Sequence, residues 1–303
     1  MTEMTILQQK LASFAPACEL KYNEPMSKHT SFRIGGNAEV FALPKTRDEL
    51  AEILKLSAAI GVKPAILGAG TNVLAPDAGM DGIVICLKDC LDGMERLNES
   101  HLRVMAGVTM TRAAVFAANL GLDGMVFAHG IPGTVGGGVY MNAGAYGGEM
   151  KDIVESVEIM DFCGNIRNLT NEEMAFSYRH SLLEETGEIV ISAVLHLTPG
   201  ETGEIKAKMR ELQAKRSASQ PLDLPSAGSA FKRPKQGYAA ALIDQARLKG
   251  YRVGGAAIST KHAGFAVNLG GATAADVRNL LSQVSDIVFE KSGILLEPEV
   301  RIW

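Results

Sequence analysis

The chain has 303 residues, enough for two domains or for one large and one small. Its 47% hydrophobic and 21% charged content is that of an ordinary globular protein. The net charge of −4 argues against a broad basic footprint for nucleic acid, and no stretch approaches the roughly 18 apolar residues of a membrane span. From the N-terminus, "MTEMTILQQKLASFAPACEL" has the pattern of an amphipathic helix without the apolar centre of a signal peptide. "TSFRIGGNAEVFALP" reads as a turn and a strand, and "TRDELAEILKLSAAIG" as a helix that stops at Gly61. Strands follow in "PAIL", "DGIVICL" and "HLRVMAGV", then a helix in "TMTRAAVFAANLG" with threonine at its start and glycine beyond its end. "ESVEIMDFCGNIRNLT" is a hairpin turning at Cys163-Gly164-Asn165, and "GEIVISAVLHLTPG" is a further strand. Beyond Pro199-Gly200, "EIKAKMRELQAKRSAS" is a helix whose charges read either as an anion site or as a solvated face, with the solvated face favoured. A proline-marked loop then leads to a helix at 237–247, strands near 251–258 and 264–269, a helix at 273–291 and a last strand, "ILLEPEVRIW". Helices and short strands alternate irregularly, with hairpins, which favours an α+β fold over a doubly wound sheet. Cys18, Cys86, Cys90 and Cys163 form no CxxC pair and are expected to be buried free thiols in a reducing cytoplasm.

Two glycine loops stand out. Gly68-Ala69-Gly70-Thr71-Asn72 follows a strand, where backbone N–H groups can face phosphate, although a tight turn uses the same residues. It fails the GxGxxG pattern and lacks an acidic residue about 20 positions on, so it is not the Rossmann fingerprint. The second loop, "HGIPGTVGGGVYMNAGAYGG" from His129 to Gly148, mixes glycine with residues that want a core. Gly130-Ile131-Pro132-Gly133 reads as a turn, and Thr134-Val135-Gly136-Gly137-Gly138 as the start of a short helix facing an anion. Asn142-Ala143-Gly144-Ala145-Tyr146-Gly147 adds a second close approach. The expectation is that these glycines remove Cβ atoms so that a large dinucleotide lies against the main chain.

"HTSFRIGG", "LGAGTNVL", "GIPGTVGGGVYMNAGAYG", "FSYRHS", "PSAGSAFKRP", "KHAGFAVN" and "LEPEVRI" stand in order along nearly the whole chain. Together they resemble the UDP-N-acetylenolpyruvoylglucosamine reductase family, whose members make UDP-N-acetylmuramate for peptidoglycan. Gly138 stands where that pattern has alanine, and the short C-terminal region resembles the compact subtype, which lacks an inserted loop with a substrate-contacting tyrosine. The resemblance implies an N-terminal segment over 1–32 and a vanillyl-alcohol-oxidase/PCMH-type FAD-binding region of two α+β subdomains over 33–199. A substrate-binding α+β domain would follow over 200–303. It implies non-covalent FAD, with His129 in a packing or turn role, NADPH as the reductant, and a cytoplasmic monomer without nucleic-acid, membrane or metal partners. FAD contacts fall on Gly68, Ala69, Gly70, Thr71, Asn72, Pro132, Gly133, Thr134, Gly136, Gly137, Asn142, Ala143, Gly144 and Gly147. Substrate contacts fall on Tyr178, Lys232, Arg233, His262 and Asn268, with the two cations on phosphate.

The reaction sets its own requirements. Hydride added to the terminal carbon of an enolpyruvyl ether sends charge into the carboxylate, which calls for a fixed cation, and the neighbouring carbon then needs a proton donor. By resemblance these are Arg179 and Ser229, with Glu299 polarising the intermediate or orienting the donor. On the residues alone, Arg179 reads as a surface arginine, Ser229 as a turn or cap residue and Glu299 as a solvated carboxylate. Two other functions stand beside the reductase: an FAD oxidase of the same superfamily, which needs a base and turns over without NADPH, and a non-catalytic nucleotide-binding module.

Overall fold

The computed structural model describes residues 4–303. The chain divides into two compact units, and neither is contiguous in sequence. The first holds residues up to Tyr22, Val40–Ala69 and Gly82–Lys215; the second holds Asn23–Glu39, Gly70–Asp81 and Arg216–Trp303. The boundaries expected at 32/33 and 199/200 are single cuts, and the structure departs from them because two early segments are built into the second unit. Each unit has its own apolar core.

In the first unit, five antiparallel strands lie in the order Ile166–Thr170, Val154–Met160, Ile189–His196, His101–Met105, Met94–Arg96. The central strand Ile189–His196 is buried along nearly its whole length, as its apolar run, broken only by buried Ser192, requires. Ala65–Leu67 pairs in parallel with Met80–Cys86, placing Leu67 opposite Cys86. The helices start where threonine caps them: Thr46 accepts from the Glu49 N–H at 3.2 Å, and Thr109 from the Arg112 N–H at 3.2 Å. Arg47–Ala59 buries Leu50, Ile53, Leu54 and Ser57, one helical stripe, and Met110–Asn119 buries four alanines that allow close packing. The hairpin turn at 161–165 is held by the Asp161 carboxylate, which accepts from Asn165 Nδ2 and from the N–H groups of Cys163 and Asn165. Those bonds, the Asn165 side chain first, hold the carboxyl below the usual range. Cys163 on this turn is exposed, against the expectation of burial, because it sits at the tip and not on a strand face. Burial pushes the thiols of Cys18 and Cys90 up to about 11 and about 12.

In the second unit, four antiparallel strands lie in the order Ser226–Ser229, Phe265–Asn268, Ala256–Ile258, Arg252–Val253. The helix Ala274–Ser292 lays Val277, Leu280, Leu281, Val284 and Val288 into the core. Thr273 and Asp276 form a capping box at its start, and Gly293 closes it in the left-handed conformation. Asp77 adds a second carboxylate there, accepting from the N–H groups of Ala274 and Ala275 at 2.7 and 3.0 Å. The last strand is only Arg301–Ile302, paired in parallel with Val73–Leu74.

Candidate active site

The helix Val135–Tyr140 carries three consecutive glycines yet is anchored at both faces. Val135 and Val139 are fully buried, and Thr134 caps the helix through the Gly137 N–H at 3.3 Å. Its first amides are already used: Val135 N–H donates to Val108 O at 2.8 Å and Gly136 N–H to Ala106 O at 2.9 Å. Two of the amides at this helix start are thus held by neighbouring carbonyls in the protein. The glycines also differ in purpose. A Cβ on Gly136 would lie 2.9 Å from Ala106 Cβ, so this glycine serves packing. Gly137 is exposed, and its Cβ would meet only the Thr134 hydroxyl at 3.6 Å. Gly147, at φ +89°, would meet nothing within 4 Å. Gly137 and Gly147 thus leave open, Cβ-free backbone of the kind a flat dinucleotide needs, and FAD fits these residues.

This yields a paired prediction. Gly136→Val should destabilise the flavin-free protein by about 1–3 kcal/mol through overpacking. Gly137→Val should leave the fold intact but weaken FAD binding, since its branched side chain enters the open face. Thermal melts of stripped protein and FAD titrations separate the two. Unchanged FAD affinity in Gly137→Val would remove the cradle.

The Arg179 side chain sits on a two-residue turn. Ser177 and His180 exchange backbone hydrogen bonds at 3.1 and 3.2 Å, leaving Tyr178 and Arg179 at the tip. Arg179 adopts φ +57°, a left-handed conformation that suits glycine or asparagine at this place. Its Nη2 donates to Gly144 O at 3.2 Å, and the guanidinium lies 5.0 Å from the Tyr178 ring centroid. Asn142, read from sequence as an FAD contact, is fully buried at φ +43°, and its amide is taken up by the protein. Nδ2 donates to Glu149 Oε2 and to Ser177 O, both at 2.9 Å, and Oδ1 accepts from Lys151 N–H at 2.9 Å. His129 ends the short 3₁₀ turn Val126–Ala128, with its N–H on Val126 O.

Ser229 and Glu299 belong to the second unit. The strand Ser226–Ser229 shifts register before Ser229 pairs with Phe265, and Gly228 at φ +76° makes this bulge. The bulge leaves Ser229 exposed between buried Ala227 and Ala230. Ala230 O then accepts from Glu299 N–H at 3.0 Å, and Phe231 bridges Pro298, so the Ser229 and Glu299 segments run side by side. Asn72 Nδ2 donates to Glu299 O at 3.1 Å. Gly70 lies so close to the His29 carbonyl that a side chain has no room, which makes it a packing glycine.

Among the expected substrate contacts, Lys232 pairs with Glu297 at 2.5 Å and Arg233 stacks 4.1 Å over Tyr238. The Asn268 amide donates to Phe32 O at 2.9 Å and accepts from the Gly270 and Ala272 N–H groups. His262 Nδ1 accepts from Gly264 N–H at 3.1 Å, and burial lowers the ring's affinity for a proton. Among the described residues, no group of three or more His, Cys, Asp or Glu is placed to hold a metal, and no helix is long and apolar enough to cross a membrane.

Residues 38–170 match the family model of an FAD binding domain, which makes the chain a flavin-binding protein of PCMH type with a C-terminal α+β domain. Residues 220–303 match the model for the UDP-N-acetylenolpyruvoylglucosamine reductase C-terminal domain. The reductase of that name from Caldanaerobacter subterraneus subsp. tengcongensis is 46% identical over 297 residues, 98% of each chain. The one from Clostridioides difficile is 44% identical, covering 94% of this chain and 93% of its own. The crystal structure of the Thermus caldophilus reductase superposes with a TM-score of 0.78 at 36% identity, covering 94% of this chain and 98% of that one. The chain belongs to the UDP-N-acetylenolpyruvoylglucosamine reductase family.

Proposed function

We propose that this protein reduces UDP-N-acetylglucosamine enolpyruvate to UDP-N-acetylmuramate, using non-covalent FAD and NADPH, in the cytoplasm and as a monomer. Family membership over the whole chain supports the reaction. The observation that supports the residue assignment is Arg179: a cation at the tip of a two-residue turn, in a left-handed conformation, with Nη2 on the Gly144 carbonyl of the glycine-rich segment. FAD, held against the open backbone of Gly137 and Gly147, would supply the two-electron chemistry that links NADPH to the substrate's terminal carbon, C3.

The side chains do the rest. Gly137 and Gly147 give the cofactor bare backbone to lie against. As the C=C bond accepts hydride at C3, its electron pair moves toward the carboxylate, and Arg179 stabilises the charge that develops on oxygen. Ser229, turned outward by the Gly228 bulge, gives its hydroxyl proton to C2. An alcohol is a weak acid, but an enediolate carbon is a strong base, and the transfer is completed when Ser229 is reprotonated from solvent. Glu299, whose backbone is tied to Ala230 and Asn72, orients the serine hydroxyl or polarises the intermediate. Tyr178, Lys232 and Arg233 contact the sugar nucleotide, with the two cations on its diphosphate; Lys232 exchanges Glu297 for phosphate.

One experiment separates this reading from its rivals. Purified holoenzyme is reduced anaerobically with NADPH and then mixed with UDP-N-acetylglucosamine enolpyruvate. The flavin colour should return only on adding the sugar nucleotide. Return only with oxygen would mark an oxidase, and failure of NADPH to bleach the flavin would mark a binding module.

A further inference from the structure

The turn bearing Arg179 is tied at both its ends to the glycine-rich segment by side chains that lie outside the reaction described above. Before the tip, Asn142 Nδ2 donates to Ser177 O at 2.9 Å. After it, Ser181 Oγ donates to Tyr140 O at 2.7 Å. Both side chains are fully buried, Asn142 and Ser181 each at 0% exposure. Burying an amide and a hydroxyl is costly unless each finds partners, and each partner here fixes the same short turn. The other bonds of Asn142 reach Glu149 Oε2 and the Lys151 N–H, so one amide locks 142, 149–151 and 177 together. Its φ of +43° is one that asparagine tolerates better than most residues. Tyr146 at φ +52° and Ala175 at φ +47° lie in the same segments, so four non-glycine residues here, with Arg179, sit in the left-handed region. Such conformations persist only where the surroundings over-determine them.

We infer that Asn142 and Ser181 are positioning residues that hold the Arg179 turn, fixing where the guanidinium meets the developing carboxylate charge. This rests on the reading of Arg179 as that cation. Without either tie, Arg179 remains in the chain but its turn is free to relax toward φ below zero. A misplacement of about 1 Å can cost on the order of 100-fold in rate.

The test uses flavin-loaded protein and five variants: Asn142→Gly, which keeps the left-handed backbone, Ser181→Ala, Arg179→Met, and each tie variant combined with Arg179→Met. Reduction by NADPH and reoxidation by the sugar nucleotide are timed separately. Asn142→Gly and Ser181→Ala should each slow reoxidation about 10- to 100-fold while NADPH reduction and FAD affinity stay within about threefold. In the Arg179→Met background they should add nothing further, because the group they position is gone. Tryptic cleavage after Arg179 should also quicken relative to other sites, an outcome that general loosening would not produce. Tie variants that reoxidise at the parental rate, or whose losses multiply fully with that of Arg179→Met, overturn the inference. If Arg179→Met itself reoxidises normally, the reading of Arg179 falls first and takes this inference with it. Should Asn142→Gly fail to fold, Ser181→Ala decides by the same comparison.

Discussion

Ser229→Ala is expected to lose about 10²–10⁴-fold in reoxidation by the sugar nucleotide while keeping its rate of reduction by NADPH. The reductive half asks for no proton at the substrate's C2, so nothing in that step depends on the hydroxyl. The oxidative half does. Folding should be nearly indifferent to the change: Ser229 is exposed beyond a bulge, and the residues that hold the strand down are Ala227 and Ala230. A surface change of this kind usually stays within about 0.5 kcal/mol. Cysteine at 229 should recover part of the rate, because a thiol also carries a transferable proton. Rapid mixing with flavin absorbance reads both halves. If the alanine variant reoxidises as fast as the parent, the serine is a turn residue, and Glu299, whose N–H donates to the carbonyl of the next residue, Ala230, becomes the donor to test.

The sequence carried the helices well, because threonine caps, apolar stripes and closing glycines are local signals. Thr46, Thr109, Thr134 and Thr273 all cap where their helices were expected to begin. The strand Glu19–Pro25 was not legible: "ELKYNEP" alternates only through Leu20 and Tyr22, too short a pattern beside the polar stretch that follows, and its residues are half-buried or exposed. The final strand was read too long, since Pro298 interrupts it and Leu295 is 70% exposed. The discontinuous units had no local signature either. What fixes Gly70 in the second unit is backbone packed on the backbone of His29, and a glycine written in a sequence does not say whether it admits a ligand or a neighbouring carbonyl. The same ambiguity holds at Gly136, Asn142 and Asn268, whose internal contacts no sequence pattern discloses. Arg179, Ser229 and Glu299 are proposed through resemblance, since nothing about an arginine after tyrosine discloses a left-handed turn. Ser181 carried no signal at all, because a buried serine is known only from what surrounds it.

Arg179→Met and Arg179→Gly are expected to part company in stability while failing alike in catalysis. Both remove the cation, so both should lose roughly 10²–10³-fold in reoxidation by the sugar nucleotide, the cost of removing one donor from a developing oxyanion. Both should keep NADPH reduction near the parental rate. Lysine at 179 should retain part of the rate, since it keeps the charge but lacks the planar fork that grips a carboxylate. Stability follows a different rule. Both variants give up the Nη2 bond to Gly144 O and the contact over Tyr178. Methionine inherits φ +57° and its strain, whereas glycine occupies that region freely, so the glycine variant should be the more stable of the two by about 1 kcal/mol. Thermal melts beside half-reaction kinetics test both statements together. Equal slowing of the two half-reactions in Arg179→Met would make Arg179 a binding or folding residue. A methionine variant as stable as the glycine one would mean that the turn is not strained, and that the backbone offers no evidence for selection of a cation there.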